Sequence, residues 1–323
     1  MAVYTEVSDE ALRVFLNDFD IGGLVAFRGI AEGVENSNYS LRTTSGDYIL
    51  TLYERRVNPQ ELPWFLGLME HLAKKGISCP LPVHGRDGSA LRMLCGRHSA
   101  ITTFLPGVWP RRVQLAHCAP LGAALAELHR AGADYPVERR NALGPEGWSS
   151  LLGRCLSDGG GAVDSVKLGL GQELTDALTL IIRQWPERLP RGPIHADLFP
   201  DNVFFMDGKL SGLIDFYFAA TDILAYDIAV CLNAWCFEPD FSFNITKARA
   251  LIGAYNAARQ LTNAELDALP VLCRGAAIRF ALTRLYDWIN TPPGALVTRK
   301  DPLEYIRRLR FHMTVTDAGA YGN

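Results

Sequence analysis

No run of 18 uncharged apolar residues occurs in the 323-residue sequence, so no segment is long and apolar enough to cross a bilayer as a helix. The opening MAVYTEVSDEALRVF lacks the basic stretch followed by an apolar stretch that marks an export signal. There is no CxxC pair and no Cys/His cluster at zinc spacing. The seven cysteines (Cys79, Cys95, Cys118, Cys155, Cys231, Cys236 and Cys273) are odd in number and scattered, which argues against a disulfide framework. They read as reduced residues in a cytoplasmic protein. Excess charge is also missing. A net charge of −3 is too mild for nucleic acid or an anionic membrane to be the main partner. No internal repeat is present. What remains is ordinary globular usage, 48% apolar and 21% charged, in a chain long enough for two lobes.

The first hundred residues read as strand-rich with one clear helix. Residues 38–43 and 47–53 are β-type runs joined by Thr-Ser-Gly, the pattern of a hairpin. Asn58-Pro59-Gln60-Glu61 then supplies an N-cap, a proline at the first helical position and a capping-box glutamate, and the helix should stop at Gly76. Two further strands are expected over 90–94 and 98–104. From Val113 the periodicity turns helical, with helices expected to about 130 and over 171–185, 225–236, 245–259, 263–270 and 273–290. Residues 155–165 read as a loop. The expected organisation is α+β: a small β-rich lobe over 1–104, a hinge at 105–107, a larger helical lobe over 108–316 and a frayed tail over 317–323.

The chemistry concentrates in one stretch. His195-x-Asp197-x4-Asn202 is followed, thirteen residues after Asn202, by Asp215 at the end of an apolar run. Residues 203–206 and 209–214 are short apolar runs around Asp207-Gly208, a strong two-residue hairpin signal. Such a hairpin sets Asn202 opposite Leu213 and Asp215 on the diagonal, about 5–8 Å away. An amide oxygen and a carboxylate at one end of a ribbon are hard ligands that suit Mg²⁺ holding substrate phosphates. Asp197, on the loop that enters the ribbon, is left to face what the metal holds. Asp and Asn also cap turns, and any one of these residues taken alone fits that use. The combined spacing is that of phosphoryl transfer. His195 suits a structural hydrogen bond better than a base, because Asp197 has the better placement.

His195-Ala-Asp-Leu-Phe-Pro-Asp-Asn202, with Ile214-Asp-Phe216 after it, resembles the catalytic core of the aminoglycoside-phosphotransferase and choline-kinase-like superfamily. The resemblance implies a protein-kinase-like two-lobe fold and use of ATP with Mg²⁺. It makes Asp197 the catalytic base, gives the metal to Asn202 and Asp215, and lets His195 and Asp227 brace the loop. More narrowly, Glu32-Gly-Val-Glu-Asn-Ser-Asn-Tyr39, Tyr48-Ile-Leu-Thr-Leu-Tyr53, Leu66-Gly-Leu-Met-Glu-His-Leu72 and Arg284-Leu-Tyr-Asp-Trp288 resemble the homoserine kinase family. That resemblance implies L-homoserine as the small-molecule substrate. Other small-molecule kinases of the superfamily, a non-catalytic nucleotide-binding regulator and a metal-dependent hydrolase are the competing readings; the last lacks the additional histidines such sites use.

The chain departs from the superfamily at the phosphate clamp. A lysine on the third strand, paired to a glutamate on the next helix, is the usual arrangement. Here Thr51 stands at the strand position and Phe65 at the helix position, and the only lysines before residue 105 are Lys74 and Lys75. Nucleotide contacts are expected from Gly33, Asn36, Ser37 and Asn38 in a polar turn, from Thr51, and from Thr103 and Leu105, whose strand is expected to present edge-strand backbone groups to adenine. Arg42, if it opposes Ile49 in the hairpin, could reach toward the phosphates; a solvated hairpin arginine is the simpler alternative. On the substrate side, Arg284 and Asp287 share a helix face, Arg279 is five residues earlier and less well aligned, and Tyr217 lies just past Asp215. Apart from the resemblance, a solvated or intrahelical ion pair is the simpler account of the helix residues.

Overall fold

A computed structural model of the chain describes residues 5–30, 36–54, 58–291 and 299–322. Two compact units divide it: residues 1–107 with 211–214, and residues 108–210 with 215–323.

The first unit opens with α1 (Asp9–Leu16), which the sequence pattern did not suggest. Ser8 caps it by accepting from the Ala11 N–H, and Leu12, Phe15 and Leu16 form its buried face. They join Leu41, Leu50, Leu52 and Ile101 in one apolar cluster on the sheet. The sheet is antiparallel and contains β1 (Leu24–Gly29), β2 (Ser37–Thr43), β3 (Gly46–Leu52), β4 (Arg92–Leu94) and β5 (Arg97–Thr103), in the order β1-β2-β3-β5-β4. Strand β5 therefore lies between two neighbours, not at an edge. The single helix between β3 and β4 is α2 (Leu62–Lys74), preceded by a 3₁₀ turn at Pro59–Glu61 and ended by Gly76 in the left-handed region at φ +88°. Asn58 caps the 3₁₀ turn through the Gln60 N–H.

The hairpin register differs from expectation by two residues. Thr43 pairs with Gly46, Arg42 with Asp47 and Asn38 with Thr51, so Ile49 faces Ser40 and not Arg42. The turn is tighter than the sequence suggested because Gly46, at φ +154°, already belongs to the returning strand.

The second unit is mainly helical: α3 (Leu115–Gly132), α4 (Pro145–Cys155), α5 (Gly161–Val166), α6 (Leu170–Gln184), α7 (Leu224–Trp235), α8 (Ile245–Ala258), α9 (Asn263–Asn290) and α10 (Leu303–Thr314). Part of the stretch read as a loop, 155–165, is thus helical. Helix α3 lies so close to α8 that a Cβ at Gly122 would sit 2.1 Å from the Leu251 carbonyl oxygen. Only glycine fits there. The two helices expected over 263–270 and 273–290 are one helix, α9, which runs through Pro270. Loss of one helical hydrogen bond at a buried proline costs about 3 kcal/mol. Burial of the following residues Val271–Cys273 and Gly275–Leu282 outweighs it. Within the stretch expected to fray, Tyr321 is fully buried, and its hydroxyl lies 2.9 Å from His312 Nδ1.

Short strands deliver the functional loop. β6 (Arg191–Ile194) pairs antiparallel with β9 (Ala220–Ile223), and β7 (Val203–Met206) turns into β8 (Lys209–Leu213) at Asp207-Gly208. Both turn residues have positive φ, +50° and +75°, as the right-handed twist of a two-residue hairpin requires. Residues 211–214 count with the first unit, where the Leu213 N–H donates to the Ser78 carbonyl (2.9 Å) and the Ser211 hydroxyl to that of Pro106 (2.8 Å).

Candidate active site

The loop leaving β6 is held by one buried carboxylate. Asp227, in the first turn of α7, accepts the backbone N–H groups of His195 and Ala196 at 2.6 Å each. His129 Nε2 lies 3.2 Å from the same carboxylate, while His129 Nδ1 lies 2.7 Å from the Tyr255 hydroxyl. Arg259 donates to that hydroxyl (3.1 Å) and pairs with Glu265 (2.9 Å). With Arg259 donating, the hydroxyl proton points to His129 Nδ1, so Nε2 carries the hydrogen that Asp227 accepts. Ala196 is a non-glycine residue at φ +63°, a conformation that costs on the order of 1 kcal/mol and persists here because both its N–H and its carbonyl are held. Its carbonyl accepts from Arg279.

That bend presents Asp197. Asn202 donates its side-chain amide to the Asp197 carbonyl (2.8 Å) and to the Asp197 carboxylate (3.1 Å). The Phe199 N–H also bonds the Asp197 carbonyl, and Trp235 pins the Leu198 carbonyl at 2.7 Å. His195 is wholly buried, and its Nδ1 accepts from the Asp197 N–H at 3.3 Å, a bracing position. Desolvation pushes the Asp197 carboxyl well above the ordinary carboxylate range, and the charges of Asp215 and Asp201 push the same way; Arg279 and Lys300 oppose them.

Asn202 and Asp215 flank the open end of the β7–β8 hairpin, Asn202 just before Val203 and Asp215 two residues past Leu213. Asn202 commits its amide nitrogen to Asp197, which leaves its carbonyl oxygen as the atom that could accept a further partner. Asp215 is exposed at φ +65°, at the start of the 3₁₀ turn Phe216–Phe218. Among the described residues no group of three or more His, Cys, Asp or Glu side chains could hold a metal ion. One amide oxygen and one carboxylate still fit Mg²⁺, which keeps waters and takes further oxygens from phosphates.

The other expected contacts are placed as follows. Gly33 lies outside the described residues. Asn36 accepts the Glu54 N–H through its side chain (3.3 Å), and the buried Ser37 hydroxyl donates to the Glu54 carboxylate (2.7 Å). Thr51 is buried on β3 and donates to the Asn38 side chain at 2.8 Å, so both side chains are engaged with each other. Phe65 is a core residue. The Thr103 N–H, expected to be an unpaired edge group, donates to the Leu81 carbonyl at 2.9 Å, and its hydroxyl accepts the Leu81 N–H. Leu105 is half-buried. Arg42 does not serve a clamp. It is an exposed partner of Asp47 at 2.9 Å, displaced toward the turn by the true register.

On the substrate side, Tyr217 is half-buried and Asp287 is exposed. Arg284 is tied down: Nη1 donates to Glu304 (2.7 Å) and to the Asp301 carbonyl (3.3 Å), and the guanidinium lies 4.5 Å over Tyr305. Sequence reasoning passed over His129 and gave Arg279 little weight. Nothing local marks either, since their partners Asp227 and Ala196 lie 98 and 83 residues away in the chain.

The model of the phosphotransferase enzyme family matches residues 26–261. A homoserine kinase from Granulibacter bethesdensis is 70% identical over 322 residues, covering 100% of both chains. One from Acidiphilium cryptum is likewise 70% identical over 322 residues, with 100% of both covered. Among solved structures, an amicoumacin kinase in complex with AMP-PNP and Ca²⁺ superposes with a TM-score of 0.72 at 15% identity, covering 96% of this chain and 95% of that one. A choline kinase from Cryptosporidium parvum gives 0.66 at 15% identity, covering 95% and 94%. These two establish the fold, protein-kinase-like with an antiparallel β-rich part and a helical part.

Proposed function

We infer that this chain, which belongs to the phosphotransferase enzyme family and within it to the homoserine kinases, transfers the γ-phosphoryl group of ATP to the hydroxyl of L-homoserine. The product is O-phospho-L-homoserine, on the way to threonine. The observation that carries the reading is a pinned Asp197, held through Asn202 and the Asp227 clamp, in a chain 70% identical to homoserine kinases along its whole length.

Asp197 accepts the proton of the substrate hydroxyl as that oxygen bonds to the γ-phosphorus and the bond to the ADP oxygen breaks. Its raised proton affinity, set by desolvation and by Asp215 and Asp201, suits that task. Asn202 fixes the rotation of the carboxylate, while Asp227 and Arg279 fix the backbone that carries it. Asn202 Oδ1 and Asp215 would hold Mg²⁺, which when bound neutralises phosphate charge. In the first unit, backbone groups of residues 33–38 would take the phosphate contacts, because Thr51 supplies no cation. The setting is the cytoplasm, where free thiols such as these stay reduced; six of the seven are buried.

The test is ADP formation with ATP, Mg²⁺ and a panel of L-homoserine, choline, a sugar and an aminoglycoside. Turnover with homoserine alone supports the reading. Turnover only with another alcohol, or with none, overturns it.

A further inference from the structure

Arg279 is a buried cation that forms no ion pair with a described carboxylate. It is 1% exposed, Nη1 donates to the Ala196 carbonyl, and the guanidinium lies 4.5 Å from the Phe280 ring centre and 5.6 Å from that of Phe218. Nε has no hydrogen-bond partner, and no ion pair to a described carboxylate forms. One carbonyl and two ring faces offset only part of the cost of burying such a charge, which is several kcal/mol. The protein carboxylate whose proton affinity this guanidinium is seen to lower is Asp197, the proposed base, with which it forms no direct ion pair.

Lys300 is a second cation near Asp197. It is exposed, makes no ion pair with a described residue, and holds Nζ 5.8 Å from the ring centre of Phe199, two residues past Asp197. Both cations act on the Asp197 carboxylate. Between them lies an aromatic cluster: Phe199 and Phe280 meet edge-on at 4.8 Å, and Phe280 and Tyr305 lie 5.2 Å apart. The nearby Arg284 is not available, since Glu304 already neutralises it.

We propose that Arg279 and Lys300 together recognise the α-carboxylate of the amino-alcohol substrate and so select homoserine over amino alcohols that lack one. This rests on the functional reading above. Only a short carbon chain separates the carboxylate of homoserine from its hydroxyl, so with the hydroxyl at Asp197 the carboxylate must be bound beside the base. Among the described residues, Arg279 and Lys300 are the cations whose charges act on Asp197. A site with buried polar groups rejects an analogue that leaves them unpaired far more strongly than an apolar pocket rejects a missing methylene.

The experiment compares kcat/KM for L-homoserine and for 3-aminopropan-1-ol, the same molecule without its carboxylate, using full-length enzyme with MgATP. Wild type should prefer homoserine by about a hundredfold or more. In Lys300→Met and Arg279→Gln that preference should fall by about tenfold or more, through KM for homoserine, with KM for ATP unchanged. Arg279→Lys should keep more of the preference than Arg279→Gln. Arg279 also braces Ala196, so if Arg279→Gln fails to fold, Lys300→Met alone decides between the outcomes. A wild type without preference, or a Lys300→Met variant that retains it within about twofold, overturns the proposal while homoserine turnover stands. Absence of homoserine turnover by wild type overturns the functional reading and this inference with it.

Discussion

Asn202 donates its side-chain amide to both the carbonyl and the carboxylate of Asp197, at 2.8 and 3.1 Å. In the proposed mechanism one residue thus orients the base and would offer its remaining oxygen to Mg²⁺. Asn202→Ala should therefore lower kcat by about a hundredfold or more and raise the Mg²⁺ concentration needed for half-maximal rate. Asp215→Ala should shift the Mg²⁺ dependence without disturbing Asp197 orientation. Normal Mg²⁺ titrations in both variants would remove these residues from the metal site.

Asp227 accepts two backbone N–H groups at 2.6 Å and the His129 ring at 3.2 Å, with no solvent to replace any of them. Asp227→Asn turns an amide donor toward at least one backbone donor. The expected loss is about 3–5 kcal/mol of folding stability, read as a lower denaturant midpoint. In the surviving folded fraction kcat should fall more than KM changes, since the loop, not the binding surface, is loosened. A folding stability within about 0.5 kcal/mol of wild type would show that the clamp contributes little.

Arg42→Ala should leave kcat/KM for ATP within about twofold of wild type, because an exposed pair with Asp47 contributes little and its position is far down the hairpin from Thr51. A tenfold loss would reinstate a phosphate-clamping role for this arginine.

The hairpin also shows what a sequence conveys. Asp207-Gly208 located a turn because those residue types tolerate positive φ, a local property. The register across the 43–46 turn was misjudged by two residues because Gly46 could belong either to the turn or to the strand, and only pairing with Thr43 decides it. The loop that carries Asp197 was legible for the same local reason: its residues act on one another within a few positions, as Asn202 does on Asp197. Arg279, His129 and the packed Tyr321 were not, since what gives them meaning is a partner brought close by the fold. Pro270 misled the helix reading because its local penalty is visible in sequence and the burial that outweighs it is not.

His312 is fully buried between the charges of Arg274 and Arg308, and burial lowers its pKa from 6.5 to about 3. Below pH 6.5 the unfolded chain takes up a proton that the native state refuses, so stability falls as the medium is acidified and continues to fall until about pH 3. The loss from this residue approaches about 2 kcal/mol at pH 5, and His312→Phe should flatten the decline between pH 7 and pH 5. Urea midpoints at the two pH values measure it; an equal decline in wild type and variant would assign the acid sensitivity elsewhere.

The most direct test of the central claim is the rate of O-phospho-L-homoserine formation by wild type and by Asp197→Asn, with ATP binding measured on both. Wild type should convert homoserine and ATP to product and ADP in equal amounts. The variant should bind ATP with near-normal affinity while forming product about a thousandfold more slowly. A variant that keeps most of the wild-type rate would contradict the assignment of Asp197 as the base.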